Sequence, residues 1–116
     1  MGRWIVDGMN VIGSRPDGWW RDRTGAMRRL AAELAGWAAA SGEEVVLVLD
    51  GKPRDIGEHA GVELRFAPVA DDLIAELAAA DPAVRVATSD RGLVGRLAAV
   101  GVEAEGVRAF RERIDR

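Results

Sequence analysis

The chain has 116 residues, 48% of them hydrophobic, with a net charge of −3 and no cysteine. This length suits one domain, residues 1–116, and the composition excludes a disordered chain. The lack of cysteine excludes disulfides, thiolate metal sites and a cysteine nucleophile. The first apolar run, Trp4 to Val6, is too short for a signal peptide or a membrane span, so a cytoplasmic protein is expected.

The first half of the chain alternates strand, helix and strand. A strand from Trp4 to Val6 is followed by a loop from Gly8 to Arg23. Apolar residues then recur at intervals of three and four, which predicts a helix from Gly25 to Ala40 with Gly42 as its C-cap. The continuously apolar run from Val45 to Leu49 predicts a strand buried on both faces.

The second half continues the alternation, after a loop from Gly51 to Gly61. Apolar and polar residues alternate from Val62 to Phe66, which predicts an edge strand with one solvated face. The whole pattern favours a three-layer α/β/α fold around a mainly parallel sheet. The remaining elements are a helix from about Asp71 to before Asp81, a strand from Val84 to Thr88, a helix from Arg91 to Val100, a short strand near Val102 to Ala104 and a helix from Val107 to Ile114.

Five aspartates are candidates for one shared site. If the strand order is 3-2-1-4-5, right-handed crossovers place strands one and four side by side where the winding reverses. Ligands of such sheets bind outside the carboxyl ends of the strands. Hard anionic oxygens gathered there predict a site for Mg²⁺ or Mn²⁺. Asp7, Asp50 and Asp90 end predicted strands, and Asp71 and Asp72 open a predicted helix.

Each of these aspartates also has a simpler explanation. An aspartate between a strand and a helix often caps the helix, and Asp90 before Arg91 fits that role. Asp71 and Asp72 could likewise oppose the dipole of the helix that they open. The prediction of a metal site therefore depends on the whole set of aspartates.

Three segments resemble a known family. They are DGMNVIG from Asp7 to Gly13, the Asp-Asp pair before an apolar helix, and TSDRGL from Thr88 to Leu93. In this order they resemble the NYN domain, and most closely its YacP-like branch within the PIN-like nuclease superfamily. The resemblance spans essentially the whole chain, and its most specific part is the opening D-G-x-N. It implies a 3-2-1-4-5 sheet and a ribonuclease whose acidic pocket binds Mg²⁺ or Mn²⁺.

The resemblance also implies roles for individual residues. Asn10 would hold the loop around Asp7 or contact a phosphate, while Thr88 and Ser89 would position Asp90 or a water molecule. The reaction would be an in-line attack of activated water on an RNA phosphodiester. The implied catalytic residues are Asp7, Asn10, Asp72 and Asp90, and the implied metal ligands are Asp7, Asp50, Asp71, Asp72 and Asp90.

The loop after the first strand is a candidate for holding the substrate. Trp20 is followed by Arg21 and Arg23, and Arg15 precedes it. Aromatic rings beside arginines can stack bases and bind phosphates of single-stranded RNA. Packing of at least one of Trp19 and Trp20 against the next helix is the simpler alternative. The predicted substrate-binding residues are Ser89, Arg15, Trp20, Arg21 and Arg23.

The net charge does not exclude an RNA partner. If five aspartates face a cation, the rest of the chain carries −3 + 5 = +2. The expected partner is messenger, transfer or ribosome-associated RNA. No association with a membrane is expected, and a homodimer is an alternative to a monomer. YacP-like proteins are usually longer between the third strand and the next helix, where only Ala67 to Ala70 stand here. This shorter connection removes a segment that is expected to contribute to RNA affinity and specificity.

Three other functions are open to comparison. The same fold could serve as an RNA- or ribosome-binding module with little or no catalysis. A toxin-like PIN nuclease would need an antitoxin partner. A receiver domain also has acidic strand ends, but it needs a lysine after its last core strand, and the only lysine is Lys52 after strand two. The receiver domain is therefore excluded.

Overall fold

The computed structural model of the protein describes residues 2–116. Strands and helices alternate along most of the chain, with one 3₁₀ turn at Trp19–Arg21, but a loop without a helix joins the second and third strands. The strands are β1 (Arg3–Asp7), β2 (Glu44–Asp50), β3 (Val62–Ala67), β4 (Arg85–Ala87) and β5 (Ala104–Glu105). The helices are α1 (Gly8–Ile12), α2 (Arg23–Ser41), α3 (Ala70–Ala80), α4 (Arg91–Ala98) and α5 (Val107–Ile114).

The five strands form one parallel sheet in the order β3-β2-β1-β4-β5, as predicted. In the centre, Val6 of β1 pairs with Leu47 of β2 on one side and with Ala87 of β4 on the other. The residues that follow in β1 and β4 are Asp7 and Thr88, so two polar side chains meet where the sheet order reverses.

Helices cover both faces of the sheet, because successive strand residues point to opposite sides. In β1, Trp4 and Val6 belong to the core under α1, α2 and α5, whereas Ile5 belongs to the core under α3 and α4. Trp4 is fully buried and packs edge-on against Trp37 and at a tilt against Phe110. These two cores hold the strand ends at fixed positions.

The edge strand is also confirmed. In β3, Glu63 and Arg65 are exposed and alternate with the partly buried Val62, Leu64 and Phe66. Gly42 ends α2 in the left-handed conformation with φ 76°, as the sequence predicts for a C-cap. Within residues 2–116, no helix has the length and apolar character needed to cross a membrane.

The predicted loop from Gly8 to Arg23 is wrong in part, because it contains α1 and the 3₁₀ turn. The helix α1 lies directly on β2, and the missing side chain of Gly8 makes this possible. A Cβ atom on Gly8 would come within 2.5 Å of Leu49 Cδ2 and 2.9 Å of the Val48 carbonyl oxygen. Strand four is shorter than predicted, and strand five is shifted from Val102–Ala104 to Ala104–Glu105.

Candidate active site

Asp7 is the innermost residue of the candidate site. It ends β1, immediately precedes α1 and is only 4% exposed. Its Oδ2 atom accepts a hydrogen bond of 2.8 Å from the hydroxyl of Thr88, at the end of β4. The same hydroxyl oxygen accepts a hydrogen bond from the Asp90 backbone N–H. One buried threonine therefore connects the two strand ends and orients both aspartates.

Burial raises the pKa of Asp7 from 3.8 to about 6, because a carboxylate loses hydration there. The Thr88 hydroxyl and the Asn10 backbone N–H lower this pKa, while the negative charges of Asp71 and Asp50 raise it. Asp71 and Asp50 therefore lie close enough to Asp7 for their negative charges to act on it.

Asn10 ties the start of α1 to the loop after β4. Its Oδ1 atom accepts a hydrogen bond of 2.7 Å from the Ser89 backbone N–H. The Ser89 hydroxyl oxygen in turn accepts a hydrogen bond from the Val107 N–H, which opens α5. Asn10 thus links the start of α1, directly after Asp7, to the loop after β4. Its amide NH₂ group is left as a hydrogen-bond donor for a substrate oxygen.

Asp90 and Asp50 each cap a helix and also lie at the candidate site. The Oδ1 atom of Asp90 accepts from the Leu93 N–H and caps α4. The Oδ1 atom of Asp50, at the end of β2, accepts from the Ala70 N–H and so caps α3 from a neighbouring element. Each carboxylate keeps a second oxygen. Capping and a role at the site are therefore compatible for both residues.

The Asp-Asp pair divides between two environments. Burial raises the pKa of Asp71, and the charges of Asp90 and Asp50 raise it further. Asp72 is instead two-thirds exposed and forms an ion pair of 2.9 Å with Arg96 of α4. Asp71 is therefore the member of the pair that interacts most closely with the other aspartates. The Arg96 charge lowers the pKa of Asp71 and partly offsets this repulsion.

The donor chemistry of the site fits a hard divalent cation. Carboxylate oxygens are the ligands that Mg²⁺ and Mn²⁺ prefer, and the repulsion around Asp7 and Asp71 would be relieved by a positive ion. Within the described chain, however, no three His, Cys, Asp or Glu side chains are arranged to hold a metal ion. A cation would therefore have to draw the aspartate side chains closer together.

Replacing Thr88 with valine tests the link between the strand ends. The variant Thr88→Val keeps the side-chain shape but leaves the Asp7 carboxylate and the Asp90 N–H without this partner. We expect a loss of about 1–3 kcal/mol in the free energy of unfolding, because both groups lie in a buried or partly buried place. Urea denaturation at neutral pH measures it.

The control for this prediction is the other threonine of the chain, Thr24. Its hydroxyl accepts from Arg54 at an exposed position, so Thr24→Val should change stability by less than about 0.5 kcal/mol. Equal losses in the two variants would contradict the connecting role of Thr88.

The tryptophan pair is split between packing and exposure. Trp19 is partly buried against the core that includes α1 and α2, so packing of one ring is confirmed. Trp20 is 51% exposed. The guanidinium of Arg21 lies 5.9 Å from the Trp20 ring centre, and that of Arg23 lies 5.3 Å from the Trp19 ring centre. The predicted combination of an open aromatic ring and arginines is present in this turn.

Some residues near the site escape sequence reasoning. Arg96 reaches Asp72 only because α3 and α4 lie side by side. Arg108 and Arg111 line a cleft with Ser89 and Arg15, and Arg15 itself pairs with Asp115. No spacing in the sequence predicts these contacts, since each joins residues from different elements.

Solved structures show what the chain is similar to. In comparisons of sequence, no protein-family model and no curated protein matches the chain. The crystal structure of Rae1 (YacP) from Bacillus subtilis matches with a TM-score of 0.84 and 25% identity, over 99% of this chain and 74% of that one. A tryptophan-to-leucine mutant of the same protein matches with a TM-score of 0.86 and 26% identity, over 99% and 76%. Together with the D-G-x-N and S-D motifs at the ends of β1 and β4, this match shows that the chain is similar over nearly its whole length to YacP-like proteins of the NYN/PIN-like fold.

Proposed function

We propose that the protein is a metal-dependent endoribonuclease that hydrolyses RNA phosphodiester bonds at the acidic site. The observation that supports this most strongly is the convergence of Asp7, Asp50 and Asp71 at one edge of the sheet, close enough for their negative charges to repel one another. Maintaining such repulsion costs stability, and a site that binds a cation and a phosphate gives it a use. The fold of the YacP-like family supports the same proposal.

The cation would be Mg²⁺ or Mn²⁺, with Asp7 and Asp90 as its central ligands. Asp71, Asp72 and Asp50 would complete its surroundings. When bound, the cation lowers the pKa of water and stabilises the negative charge that develops on phosphate. Thr88 keeps Asp7 and Asp90 in a fixed relative orientation through its two hydrogen bonds.

Asn10 and Asp7 have separate tasks in this proposal. Because Ser89 occupies the Oδ1 atom of Asn10, the amide NH₂ group is the part that can donate to a phosphate oxygen. Asp7, with a pKa of about 6, is mostly ionised at neutral pH and is then available as a carboxylate ligand for a cation. Below about pH 6 a cation would have to displace the proton of Asp7.

The substrate strand would be RNA from messenger, transfer or ribosome-associated molecules. Trp20 offers an exposed ring on which a base can stack, and Arg21 and Arg23 stand beside the tryptophan pair to bind phosphate. Arg15 and Ser89 would extend this contact toward α5. These residues make single-stranded RNA the preferred form.

One observation favours a second function. The aspartates, as placed among residues 2–116, do not form a complete metal-binding group. A module that binds RNA or the ribosome with little or no catalysis would have the same fold and the same aromatic and basic residues. The two functions differ in whether bound RNA is cut.

Incubation of the purified protein with labelled single-stranded and hairpin RNA tests the proposal. The reactions contain Mn²⁺, Mg²⁺ or EDTA, and the variant is the double substitution Asp7→Asn/Asp90→Asn. We expect cleavage with either cation, none in EDTA, and a loss of at least about a hundredfold in the variant, because removal of one group that stabilises the transition state has an effect of this size.

The matched control is the double variant Glu63→Gln/Asp81→Asn. It removes two carboxylates at the opposite ends of their elements from the site, Glu63 near the start of β3 and Asp81 at the C-terminal end of α3. This control should cleave like the wild type. RNA that is bound but left intact by the wild type under all conditions would exclude the nuclease and favour the binding module.

A further inference from the structure

A cleft of about 560 Å³ opens beside the acidic site, between the end of α1, the loop after β4 and α5. Ser89 lines this cleft, and it is the residue between Thr88 and Asp90. Its backbone N–H is held by Asn10 and its hydroxyl by the first N–H of α5. The cleft and the acidic site therefore share one rigid wall.

Three arginines and two carboxylates line the cleft. The arginines come from separate places in the chain, with Arg15 after α1 and Arg108 and Arg111 on α5. The carboxylates are Glu112 and Asp115. Arg108 is exposed and makes no ion pair within residues 2–116. Its charge is thus free to meet an anion.

Arg111 is the most buried of the three arginines that line the cleft. Only 9% of this residue is exposed, and its Nη1 atom donates to Glu33 at 2.8 Å. Its buried Nε atom has no hydrogen-bond acceptor among the described residues. A buried donor without an acceptor is destabilising, and a guanidinium has five N–H groups to satisfy. The Nε atom itself is too buried to meet an anion in the cleft, but Arg111 lines the cleft, and an oxygen-rich anion there would accept from the guanidinium N–H groups that face it.

Arg15 is available to the same anion. It pairs with Asp115, but both side chains are more than 40% exposed, so water screens their attraction. A phosphate can replace the carboxylate, since the arginine fork binds phosphate with two parallel hydrogen bonds.

We infer that this cleft binds a phosphate group of the substrate strand, next to the phosphate that is held at the acidic site. The inference rests on the proposed function for the RNA substrate and for the phosphate at the acidic site, but phosphate binding in the cleft itself needs no catalysis. Arg108, Arg111 and Arg15 are the binding residues. Ser89 sets the distance between the two phosphate positions.

The test measures binding of a short single-stranded RNA in EDTA, so that cleavage does not interfere. The variant Arg108→Gln should weaken binding about fivefold to tenfold, because it removes a charge-assisted contact. It should also reduce the slope of log affinity against log salt by about 0.7, as expected for one lost phosphate contact on a single strand. Arg65→Gln, an equal change of charge on the edge strand β3, should alter neither quantity.

A second measurement does not depend on a substitution at a buried residue. Titration of the wild type with inorganic phosphate should shift the NMR amide signals of Ser89, Val107 and Arg108 before others. Equal weakening by Arg108→Gln and Arg65→Gln, or phosphate shifts spread over the surface, would overturn the inference. Phosphate shifts in the cleft without an effect of Arg108→Gln on RNA would also overturn it, because the cleft would then bind free phosphate only.

The cleavage assay separates this inference from the proposed function. RNA that binds in an Arg108-dependent way but is never cut would exclude the nuclease and support the cleft. RNA that is cut equally well, with unchanged affinity, by the wild type and Arg108→Gln would support the nuclease and overturn the cleft.

Discussion

The Asp7→Asn variant is expected to be more stable than the wild type at neutral pH when no divalent cation is present. The folded protein holds the Asp7 proton up to a pKa of about 6, whereas the ordinary value is 3.8. Between these values the folded state binds more protons than the unfolded state, so stability falls as the pH rises through this window. Above it the penalty is complete, at about 3 kcal/mol by linkage. Asparagine carries no such penalty.

The measurement is urea denaturation in EDTA at about pH 7.5 and at about pH 4, where the penalty of Asp7 is nearly absent. Asp7→Asn should gain stability at the higher pH and lose most of that gain at the lower one. Asp81→Asn, at the end of α3, measures the effect of an amide substitution outside the site. A variant that is equally stabilised at both pH values, or destabilised at the higher one, would contradict the prediction.

Mn²⁺ should stabilise the wild type more than the Asp7→Asn variant. A cation stabilises whichever folded protein binds it, and the wild type carries the additional negative ligand. The wild type should therefore gain more stability than Asp7→Asn from the same concentration of Mn²⁺. This comparison reports cation binding without relying on RNA cleavage.

The Gly8→Ala variant is expected to lose about 3 kcal/mol of stability, which is at the upper end for overpacking in a core. The new Cβ atom would come within 2.9 Å of Leu47 Cδ1, within 2.5 Å of Leu49 Cδ2, and within 2.9 Å of the Val48 carbonyl oxygen. Both leucines are fully buried and cannot move away easily. The helix α1 must then rise from β2 and carry Asn10 away from Ser89, so RNA cleavage should fall as well.

The matched control is Gly36→Ala, in the middle of α2. A Cβ atom there meets nothing within 4 Å. Alanine should stabilise the helix by about 0.5–1 kcal/mol, because it restricts the unfolded chain more than glycine does. Thermal unfolding of both variants measures these opposite changes. A Gly8→Ala variant that unfolds at the wild-type temperature would contradict the close approach of α1 to β2.

The sequence predicts the sheet well because its signals are local. The run from Val45 to Leu49 and the alternation from Val62 to Phe66 are read from adjacent residues. The helix α1 is missed because five residues are too few to show a helical period. Its position depends on the space above β2, which only the folded sheet defines.

The candidate site is predictable in its members but not in its contacts. The ends of β1, β2 and β4 identify Asp7, Asp50 and Asp90 as neighbours once the strand order is known. Whether Asp71 or Asp72 faces the other aspartates depends on the orientation of α3 and on the ion pair that Arg96 of α4 forms. Such choices arise from packing between elements and leave no mark in the spacing of residues.

Asp50 and Asp90 each secure the first turn of a helix that borders the site. A cation that attracts these carboxylates competes with the N–H groups of Ala70 and Leu93 for the same side chains. Loss of a helix cap costs about 0.5–2 kcal/mol, so breaking these hydrogen bonds would weaken the binding of the cation by a similar free energy. A cation at the site would therefore couple the order of the first turns of α3 and α4 to its own binding.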